Sequence, residues 1–584
     1  MMELQNLTLI ISITICVIAF IPSIRSKIKQ ISFTKKFDSL IIRTEEKFHY
    51  YFVVLIMLIG SSVRLWKFGI IPGGFNQDGA MGAVDALALA QHGTDRFGMW
   101  LPVHFTAWGF TQMSVLLSYL SVPFIWIFGL NRYTARAPIV IISLLALWVL
   151  YLLCKLVFGR KAAMIILAFG SINPWQIMQS RWALDCNPLP HFLLFSVYFL
   201  ILGLNKNKKF MYLSMIFFGI TMYTYGIAWY SIPLFLIMGS IYLISKKVLT
   251  LIDLAGYGIT YLFVAWPILG VMIINFFKLP TLATPLFTIP YFPSSSRAGD
   301  LLFFSNNFLK QLISNIEAII NSCIIQKPDL PWNSIPEYGT LYLFSIPILI
   351  AGLFGFFRMI KTKKLADGVE CKKADDSSGN NRYLYFPIIA WLVTALASGL
   401  IVNNVNVNRI NIIFYPLIIL CGLGIFTVVK RIKFLGLFIM VIYTLAFSGF
   451  IGSYFGEHSK VIAKEFYGGF GEAMEYVKNL DYNKIYVTNW TQGQNSWRVS
   501  ETLVLFHHQI DALYYQGKKD TYSNHGKKLL PYKERYKYVQ ISQLKINPNE
   551  KAVYVVQNNE VDGFDKGKFN IYNFAYYDAV VPKK

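Results

Sequence analysis

The stretch "TARAPIVIISLLALWVLYLLCKLVFGRKAA", residues 134–163, decides the class of fold. Its apolar run from 137 to 157 has the length that a helix needs to cross the roughly 30 Å hydrocarbon core of a bilayer. Arg136 stands at one end of this run, and a basic turn, Lys155–Lys161, stands at the other. The stretch therefore predicts a transmembrane helix with charged residues at both membrane surfaces.

Similar runs recur along the chain from Leu7 to Ser453, and 55% of the 584 residues are hydrophobic. This pattern predicts an α-helical polytopic membrane protein. The net charge of +23 could suggest a nucleic-acid partner. Most of the Lys and Arg residues, however, lie in short loops between apolar runs, where they act as topology determinants, so no nucleic acid is expected. The six cysteines are scattered and form no metal-binding or disulfide pattern.

The basic loops also predict which side of the membrane each loop faces. If 111–129 lies on the membrane surface instead of crossing it, every basic loop falls on the cytoplasmic side. Loop 67–136, loop 179–187, loop 277–337 and the turn 402–409 then face outside. The twelve expected spans are 7–23, 50–66, 137–157, 162–178, 188–204, 210–226, 228–244, 252–276, 338–357, 384–401, 410–429 and 434–453.

We expect three regions along the chain. Residues 1–49 form an N-terminal transmembrane helix and a basic cytoplasmic loop, and residues 50–455 form the membrane-embedded catalytic domain. The polar tail, 456–584, alternates short β-rich runs with helical patterns, which predicts an extracytoplasmic α/β domain. Loop 358–383 has the composition of a disordered linker. The strand-like runs of the tail are 484–489, 536–541, 552–557 and 569–581, and its helical patterns cover 466–480 and 500–515.

The first external loop contains "GGFNQDGAMGAVDALALAQ", residues 73–91. It predicts a helix over 79–92, on which Asp78 and Asp85 share one face because they are seven residues apart. The two carboxylates could then serve one site at the membrane surface. The alternative is that Asp78 only caps the N-terminus of this helix.

The next external loop contains "NPWQIMQSRWALDCNP", residues 173–188, with Arg181 and Asp185 four residues apart. Two interpretations remain open at this point. The pair forms a simple salt bridge on a helix, or its members bind a ligand at the outer end of the span. The neighbouring histidines His507 and His508 in the tail are interpreted as surface residues.

Several more arginines lie on the same predicted side. Arg136 and Arg409 stand at the ends of spans, and Arg297 lies in the loop "PYFPSSSRAGD". Arginine binds phosphate through two parallel hydrogen bonds, so this group suits a phosphate whose lipid tail stays in the bilayer. For Arg64, snorkelling toward the surface is the preferred interpretation. The expected substrate-binding residues are Asp85, His104, Arg136, Arg181, Asp185, Arg297 and Arg409.

A carboxylate beside phosphate-binding arginines suits glycosyl transfer from a polyprenyl-phosphate-linked sugar. Asp78 would act as the general base that removes the proton of the acceptor hydroxyl. The arginines would offset the negative charge that grows on the departing phosphate. Direct displacement with a single base predicts inversion at the anomeric carbon.

The order of motifs resembles the GT-C fold glycosyltransferases, in particular the protein O-mannosyltransferases and the lipid A aminoarabinose transferases of the glycosyltransferase family 39 type. The motifs are the loop aspartate, then "ARAP", "FGRKAA", "PWQIMQSRWALD" and "NVNRINIIFYPLIIL". The resemblance covers about residues 50–455. It implies a GT-C fold with about twelve transmembrane helices and surface-lying helices in the first external loop.

The resemblance also implies roles for single residues. The catalytic base carries over to Asp78, and an acidic residue that positions the substrate or a metal ion carries over to Asp185. The family arginines carry over to Arg136 and Arg409. The family often has Glu after the first-loop Asp, whereas Gly79 stands there in this chain. Whether a divalent metal ion takes part stays open.

Three other functions remain as alternatives: a transporter or flippase of a lipid-linked glycan, a ligase or polymerase of surface polysaccharide, and a non-catalytic scaffold. The absence of an internal repeat argues against a transporter. The expected partners are a polyprenyl-phosphate sugar donor, membrane lipids and an acceptor lipid, glycan or protein of unknown identity. The Lys-, Asn- and Ile-rich composition favours a bacterial plasma membrane, with the active site on its outer face.

Overall fold

The computed structural model describes residues 2–30, 32–109, 111–293, 308–362, 381–491, 494–495, 497–523 and 526–583. The expected linker 358–383 falls largely outside these ranges. Up to residue 455 the chain is mostly helical. Its helices are α1 Met2–Phe20, α2 Pro22–Gln30, α3 Ser32–Leu65, α4 Gln77–His92, α5 Leu116–Phe128, α6 Arg132–Phe158, α7 Arg160–Ile172, α8 Pro174–Gln179, α9 Pro188–Asn205, α10 Lys209–Thr221, α11 Ala228–Ser245, α12 Leu251–Phe277, α13 Phe308–Ile320, α14 Ile346–Thr362, α15 Phe386–Ile401, α16 Phe414–Arg431 and α17 Leu435–Phe455.

Within the described residues, nine helices are long and apolar enough to cross a membrane, or ten if the bent pair formed by α1 and α2 is one span. Together with the GT-C-like order of motifs, they make this a multi-pass membrane protein. The nine are Glu46–Leu65, Arg132–Phe158, Pro188–Asn205, Ala228–Ser245, Leu251–Phe277, Phe308–Ile325, Leu343–Thr362, Asn411–Arg431 and Leu435–Phe455.

The helices differ from the expected spans in two respects. Three expected spans, near 162–178, 210–226 and 384–401, are helices α7, α10 and α15 of only 13 to 16 residues. In addition, Phe308–Ile325, inside the expected external loop 277–337, has the length and composition of a span. Sequence patterns locate apolar segments well but define their ends poorly, because helix ends depend on capping and on tertiary contacts.

The first external loop is folded. It carries α4, a two-stranded antiparallel hairpin of β1 Phe105–Ala107 and β2 Thr111–Met113, and the apolar helix α5. A second short hairpin lies against this loop and consists of β3 Leu282–Ala283 and β4 Thr288–Ile289. The two are joined by a hydrogen bond from the N–H of Val103 to the carbonyl of Thr288, at 3.0 Å.

The tail folds around a five-stranded sheet, as an α/β domain should. The strand order is β10-β11-β9-β5-β8, in which β5 runs parallel to both β8 and β9 and the other pairs are antiparallel. The strands are β5 Lys484–Thr488, β6 Trp490–Thr491, β7 Gln494–Asn495, β8 Tyr536–Val539, β9 Ala552–Gln557, β10 Phe569–Phe574 and β11 Tyr577–Pro582. The helices are α18 Glu457–Glu465, α19 Phe470–Lys478, α20 Trp497–His507, α21 Ala512–Tyr515 and α22 Tyr532–Arg535.

The apolar core of the tail domain continues into the first external loop. Phe75, Ala80 and Val84 of that loop belong to the same buried cluster as Val499 and Leu503 of α20. The rings of Phe75 and Phe506 stack with their centroids 4.3 Å apart. The tail domain and α4 therefore form one packed unit, and the position of α4 depends on its contacts with the tail domain.

The interpretation of His507 and His508 as surface residues is wrong for His508. Its side chain is buried, with Nδ1 2.8 Å from the hydroxyl of Tyr536 and Nε2 2.9 Å from the carbonyl of Met474. Burial lowers the pKa of His508 to about 3, so the ring is neutral and serves as a core hydrogen-bonding group.

Candidate active site

Asn76, and not Asp78, caps helix α4. The backbone at Asn76 is extended, and its side-chain oxygen accepts a hydrogen bond from the N–H of Asp78 at 3.0 Å. An N-cap side chain satisfies one of the free N–H groups at a helix start. Because Asn76 does this, the carboxylate of Asp78 in the first turn is not used for capping. The capping interpretation of Asp78 is therefore wrong.

The carboxyl group of Asp78 is held in an environment that favours its protonated form. Asp78 is half-buried, and burial raises its pKa to about 7, with the negative charge of Asp185 adding to the shift. Among the described residues, Asp78 makes its hydrogen bond to Asn76 through its backbone N–H and not through its carboxyl group. A carboxyl group that has a pKa near neutrality and is not held by a hydrogen-bond donor can accept and release a proton at physiological pH.

Gly79 makes a close contact with the second external loop. A Cβ atom at this position would lie 2.4 Å from the carbonyl oxygen of Ala183. Real atoms cannot approach so closely, so no side chain fits here while the loop that carries Asp185 keeps its place. The glycine that departs from the family pattern is therefore explained locally, since it lets the two aspartate-bearing segments pack together.

Asp185 lies at this junction. Its Oδ2 accepts a hydrogen bond from the N–H of Ser114 at 3.3 Å, just before α5. Its negative charge adds to the effect of burial in raising the pKa of Asp78. Asp185 thus connects the second loop, the start of α5 and the first turn of α4.

Arg181 does not form the expected pair with Asp185, because α8 ends at Gln179. The guanidinium is buried and donates to carbonyls at the end of α3 and in the turn that follows. It also lies over the ring of Phe455, 4.8 Å from its centroid. The salt-bridge interpretation is therefore wrong. The accepting carbonyls and their distances are Val63 2.8 Å, Arg64 2.7 Å, Trp66 2.7 Å, Lys67 3.3 Å and Ile71 3.0 Å.

Arg136 is used in a similar way. It is buried, and its Nη atoms donate to the carbonyls of Gly69, Pro72 and Gly74 at 2.9 to 3.3 Å. The guanidinium lies over Phe75, 4.9 Å from the ring centroid. These contacts hold the segment that leads into α4. Substrate binding by Arg136 and Arg181 stays a prediction, which this geometry does not favour.

Arg64 does not snorkel to the surface. It is fully buried and donates to the side chain of Gln176 and to the carbonyls of Gly60 and Ser171. A buried guanidinium needs several acceptors to offset the loss of hydration. Carbonyl groups at helix ends supply them here, so the snorkelling interpretation is wrong.

Asp85 lies on α4 but is committed to another partner. Its carboxylate pairs with the guanidinium of Arg96 and accepts the N–H of Arg96 at 3.1 Å. The Arg96 side chain also donates to the carbonyl of Thr106 at 3.0 Å. This ion pair closes the loop after α4. His104 in that loop is buried between the rings of Trp229 and Phe292.

Arg409 differs from Arg64, Arg136 and Arg181. It is half-buried in the turn between α15 and α16, where its side chain donates to the carbonyl of Asn403. Asp329 holds this turn, because its Oδ2 accepts the N–H of Val407 at 2.7 Å. Among the described residues, the guanidinium of Arg409 donates to fewer backbone carbonyls than those of the other three arginines. Arg297 lies outside the described residues.

The start of the tail domain also contacts the segment that leads into α4. The N–H of Phe75 donates to the carbonyl of Phe466 at 2.7 Å. The phenol of the next residue, Tyr467, has a raised pKa because of burial and the charges of Tyr577 and Asp78. Sequence reasoning did not select Asp329, Phe466 or Tyr467. None stands in a recognisable motif, and each is recruited by a contact between distant parts of the chain.

A metal centre was left open by the sequence. Among the described residues, no group of three or more His, Cys, Asp or Glu side chains could hold a metal ion. Asp185 and Asp78 provide a pair of carboxylates, one of which has its pKa raised to about 7. A cation bound between them would stabilise their charged forms.

Comparisons with known proteins agree with this architecture. Residues 113–273 match the family model described as dolichyl-phosphate-mannose-protein mannosyltransferase. The crystal structure of ArnT from Cupriavidus metallidurans bound to undecaprenyl phosphate matches 91% of this chain and 98% of that chain, with a TM-score of 0.52 and 11% sequence identity. The chain has the GT-C fold. Comparison with curated protein sequences finds no match.

The structure of the Archaeoglobus fulgidus oligosaccharyltransferase is another similar structure. Its structure with a tethered acceptor peptide matches 80% of this chain at 13% identity, with a TM-score of 0.49. The match spans 63% of the length of that protein. The GT-C resemblance drawn from the order of motifs is confirmed at the level of the fold by the ArnT structure. The family match covers Arg136, Arg181 and Asp185, whereas Asp78 lies before it.

Proposed function

We propose that this protein transfers a sugar from a polyprenyl-phosphate-linked donor to a hydroxyl group of an acceptor, with Asp78 as the general base. The observation that carries this proposal is the state of Asp78. Burial raises the pKa of its carboxyl group to about 7, as it does for Asp85, but Asp85 is ion-paired with Arg96, whereas the side chain of Asp78 is used neither for an ion pair nor for capping among the described residues. A base is most effective when its pKa lies near the working pH.

The reaction balances with this base alone. The carboxylate of Asp78 takes the proton of the acceptor hydroxyl while the oxygen attacks the anomeric carbon of the sugar. The bond between that carbon and the phosphate oxygen breaks, and the polyprenyl phosphate leaves with the electron pair. Attack opposite the leaving group inverts the anomeric configuration.

Arg409 is the proposed contact for the departing phosphate. Its guanidinium is half-buried in a turn at the end of two membrane helices, with a single backbone carbonyl of the described residues as its side-chain acceptor. Positive charge placed where negative charge develops lowers the barrier. The donor class is supported by the mannosyltransferase family match and by the undecaprenyl phosphate bound to ArnT, which shares the fold.

We place the site and the tail domain on the extracytoplasmic face. The support is the distribution of basic residues, which assigns the loops of Asp78, Asp185 and Arg409 to one side and the Lys-rich loops to the cytoplasm. Nucleotide sugars do not reach the outer face of the membrane. An enzyme there therefore depends on a lipid-linked donor, in agreement with the proposed chemistry.

The test is transfer or hydrolysis by the purified protein in detergent, offered a panel of short-chain polyprenyl-phosphate and polyprenyl-diphosphate sugars. Release of polyprenyl phosphate from one donor, lost in Asp78→Asn and kept in Asp562→Asn on the exposed surface of the tail domain, is the expected result. Release only from polyprenyl-diphosphate donors would overturn the proposed donor class. Normal turnover by Asp78→Asn would remove Asp78 as the base.

A further inference from the structure

The segment Phe308–Ile325, which consists of α13 and the turn that continues it, raises a question of topology. It is the least apolar of the nine helices that are long enough to span a membrane. If it crossed the bilayer, the residues after it would lie on the opposite side from the expected external loop. The contacts of this segment decide the matter.

The surface of the segment is divided into three stripes. Asn315, Ile319 and Cys323, spaced four residues apart, are buried against the protein. Lys310, Ser314 and Glu317 form an exposed polar stripe. The remaining stripe is exposed and apolar. Residues three and four apart lie on one face of a helix, so each stripe is continuous along the segment. The members of the apolar stripe are Leu309, Ile313, Ile316, Ile320 and Ile324.

The middle of the segment lies against the end of another helix. The Nδ2 group of Asn315 donates to the carbonyls of Leu400 and Val402, at 2.8 and 2.7 Å. A Cβ atom added to Gly399 would lie 2.9 Å from Ile319. These residues form the C-terminal end of α15 and the start of the turn that carries Arg409. The middle of the segment thus lies across the C-terminal end of α15.

This contact favours a helix at the membrane surface over a membrane span. A helix of 18 residues is about 27 Å long. If it crossed a hydrocarbon core of about 30 Å, its midpoint would lie about 15 Å from either surface. Helix ends and polar turns such as Asn403–Asn406, however, belong at the surface, because backbone groups without partners are costly in lipid. An exposed stripe with Lys310 and Glu317 would also be costly there.

The chain that follows the segment supports the same conclusion. The side chain of Asn333 accepts a hydrogen bond at 3.0 Å from Gln179, the last residue of α8, which precedes the loop of Asp185. The carbonyl of Pro331 lies 2.7 Å from Nε2 of His458 at the start of the tail domain. The segment therefore returns to the side on which the candidate active site lies.

We propose that Phe308–Ile325 is an interfacial helix that lies on the bilayer surface across the end of α15. The apolar stripe enters the boundary between headgroups and acyl chains, and the polar stripe faces the headgroups and water. Through Asn315 the helix holds the turn of Arg409 at the level of the lipid phosphates. This last consequence rests on the proposed function, whereas the placement of the helix does not.

The proposal is tested by the depth of nitroxide labels in liposomes, with no need for enzyme activity. Single cysteines replace Leu309, Ile313 or Ile320 of the apolar stripe and Ser314 or Glu317 of the polar stripe. The background carries Cys16→Ala and Cys371→Ser. The other native cysteines are buried. Labels on the true span α12, at its exposed residues Ile252, Phe263 and Phe276, serve as the matched control.

The expected result is one common depth for the three apolar positions, about 5–10 Å below the headgroups, and accessibility to water at both polar positions. The α12 labels should instead be shallow, deep and shallow in chain order. The same graded profile along Phe308–Ile325 would overturn the proposal and make the segment a span. Apolar labels that contact neither lipid nor water and couple to each other would also overturn it, because a second copy of the chain would then cover the stripe.

Discussion

Asp78 and Asp85 lie seven residues apart on the same helix, yet the structure uses them differently. Asp85 is buried and ion-paired with Arg96, which also holds the carbonyl of Thr106. Asp78 is half-buried, Asn76 caps the helix in its place, and the like charge of Asp185 adds to the effect of burial in raising its pKa. Burial alone does not mark a reactive carboxylate. The partner decides, since a paired group stabilises a loop and an unpaired one keeps its proton chemistry.

The largest expected effect separates these two residues directly. Asp78→Asn should lower turnover by ~10²–10⁴-fold, the contribution of a general base, without lowering the melting temperature. Asp85→Asn leaves the charge of Arg96 buried without its partner and should destabilise the protein by about 3–5 kcal/mol. Turnover of purified protein and thermal unfolding measure both. Equal melting temperatures for the two variants would contradict the division of roles.

The same comparison predicts how stability depends on pH. The folded-state pKa of Asp78 is about 7, above its ordinary value. Its ionisation therefore costs stability as the pH rises above about 4, and the cost reaches its full size above about 7. Asp78→Asn should melt at the same temperature as the wild type at pH 4 and higher than the wild type at pH 8. A variant that melts lower at pH 8 would show that the charged carboxylate has a stabilising partner.

Variants of Arg409 and Arg136 test the same division between reactive and structural side chains, with a smaller expected effect. Arg409→Met should raise the KM for the lipid-linked donor by ~10–100-fold, the value of one or two hydrogen bonds to a charged group, and leave unfolding unchanged. Arg136→Met should lower the melting temperature, because the carbonyls of Gly69, Pro72 and Gly74 lose their donor. If Arg136→Met changed only KM, Arg136 would be a substrate contact after all.

Gly79 tests the junction between the two aspartate loops. Gly79→Ala places a Cβ atom 2.4 Å from the carbonyl of Ala183, so the second loop must move. A shift of about 1 Å near reacting groups can cost ~10²-fold in rate, and we expect a loss of about tenfold or more. Gly239→Ala on α11 meets no atom within 4 Å and is the matched control. Full activity of Gly79→Ala would show that the junction is not required.

The smallest expected effect concerns pH and Asp185. Activity should rise with pH and level off above about 7, because the carboxylate of Asp78 is the active form. Asp185→Asn removes a like charge and should move this acid limb to lower pH, by less than about one unit since burial is the larger cause. The pH profile of kcat/KM measures the shift. A move to higher pH would mean that Asp185 acts through another group.

Local patterns predicted much of the tail domain. Strand β9 occupies 552–557 as expected, because its β-branched and aromatic residues suit a buried strand. The run 569–581 was interpreted as one segment and is instead the hairpin of β10 and β11, which turns at Ala575 with a positive φ. Alanine carries no turn signal, so only the pairing of the two halves produces the bend.

The chemistry of single side chains was less predictable than their location. Arg64, Arg136 and Arg181 stand where phosphate-binding arginines could stand, and the sequence contains no sign that backbone carbonyls take up their donors. Those carbonyls belong to α3, α7 and the loop before α4, and they meet the arginines only after the helices pack. Arg409 is distinguished by exposure, which is a property of the folded turn.

The amino-acid sequence on its own was enough for the class of protein, the approximate membrane segments and the α/β tail, because apolar length and residue type are local properties. The tertiary structure was needed to show that Asn76 releases Asp78 from capping, that Gly79 lets Ala183 approach, and that Phe308–Ile325 crosses the end of α15. Each of these depends on which distant groups become neighbours, and burial and hydrogen-bond partners exist only once the chain has folded.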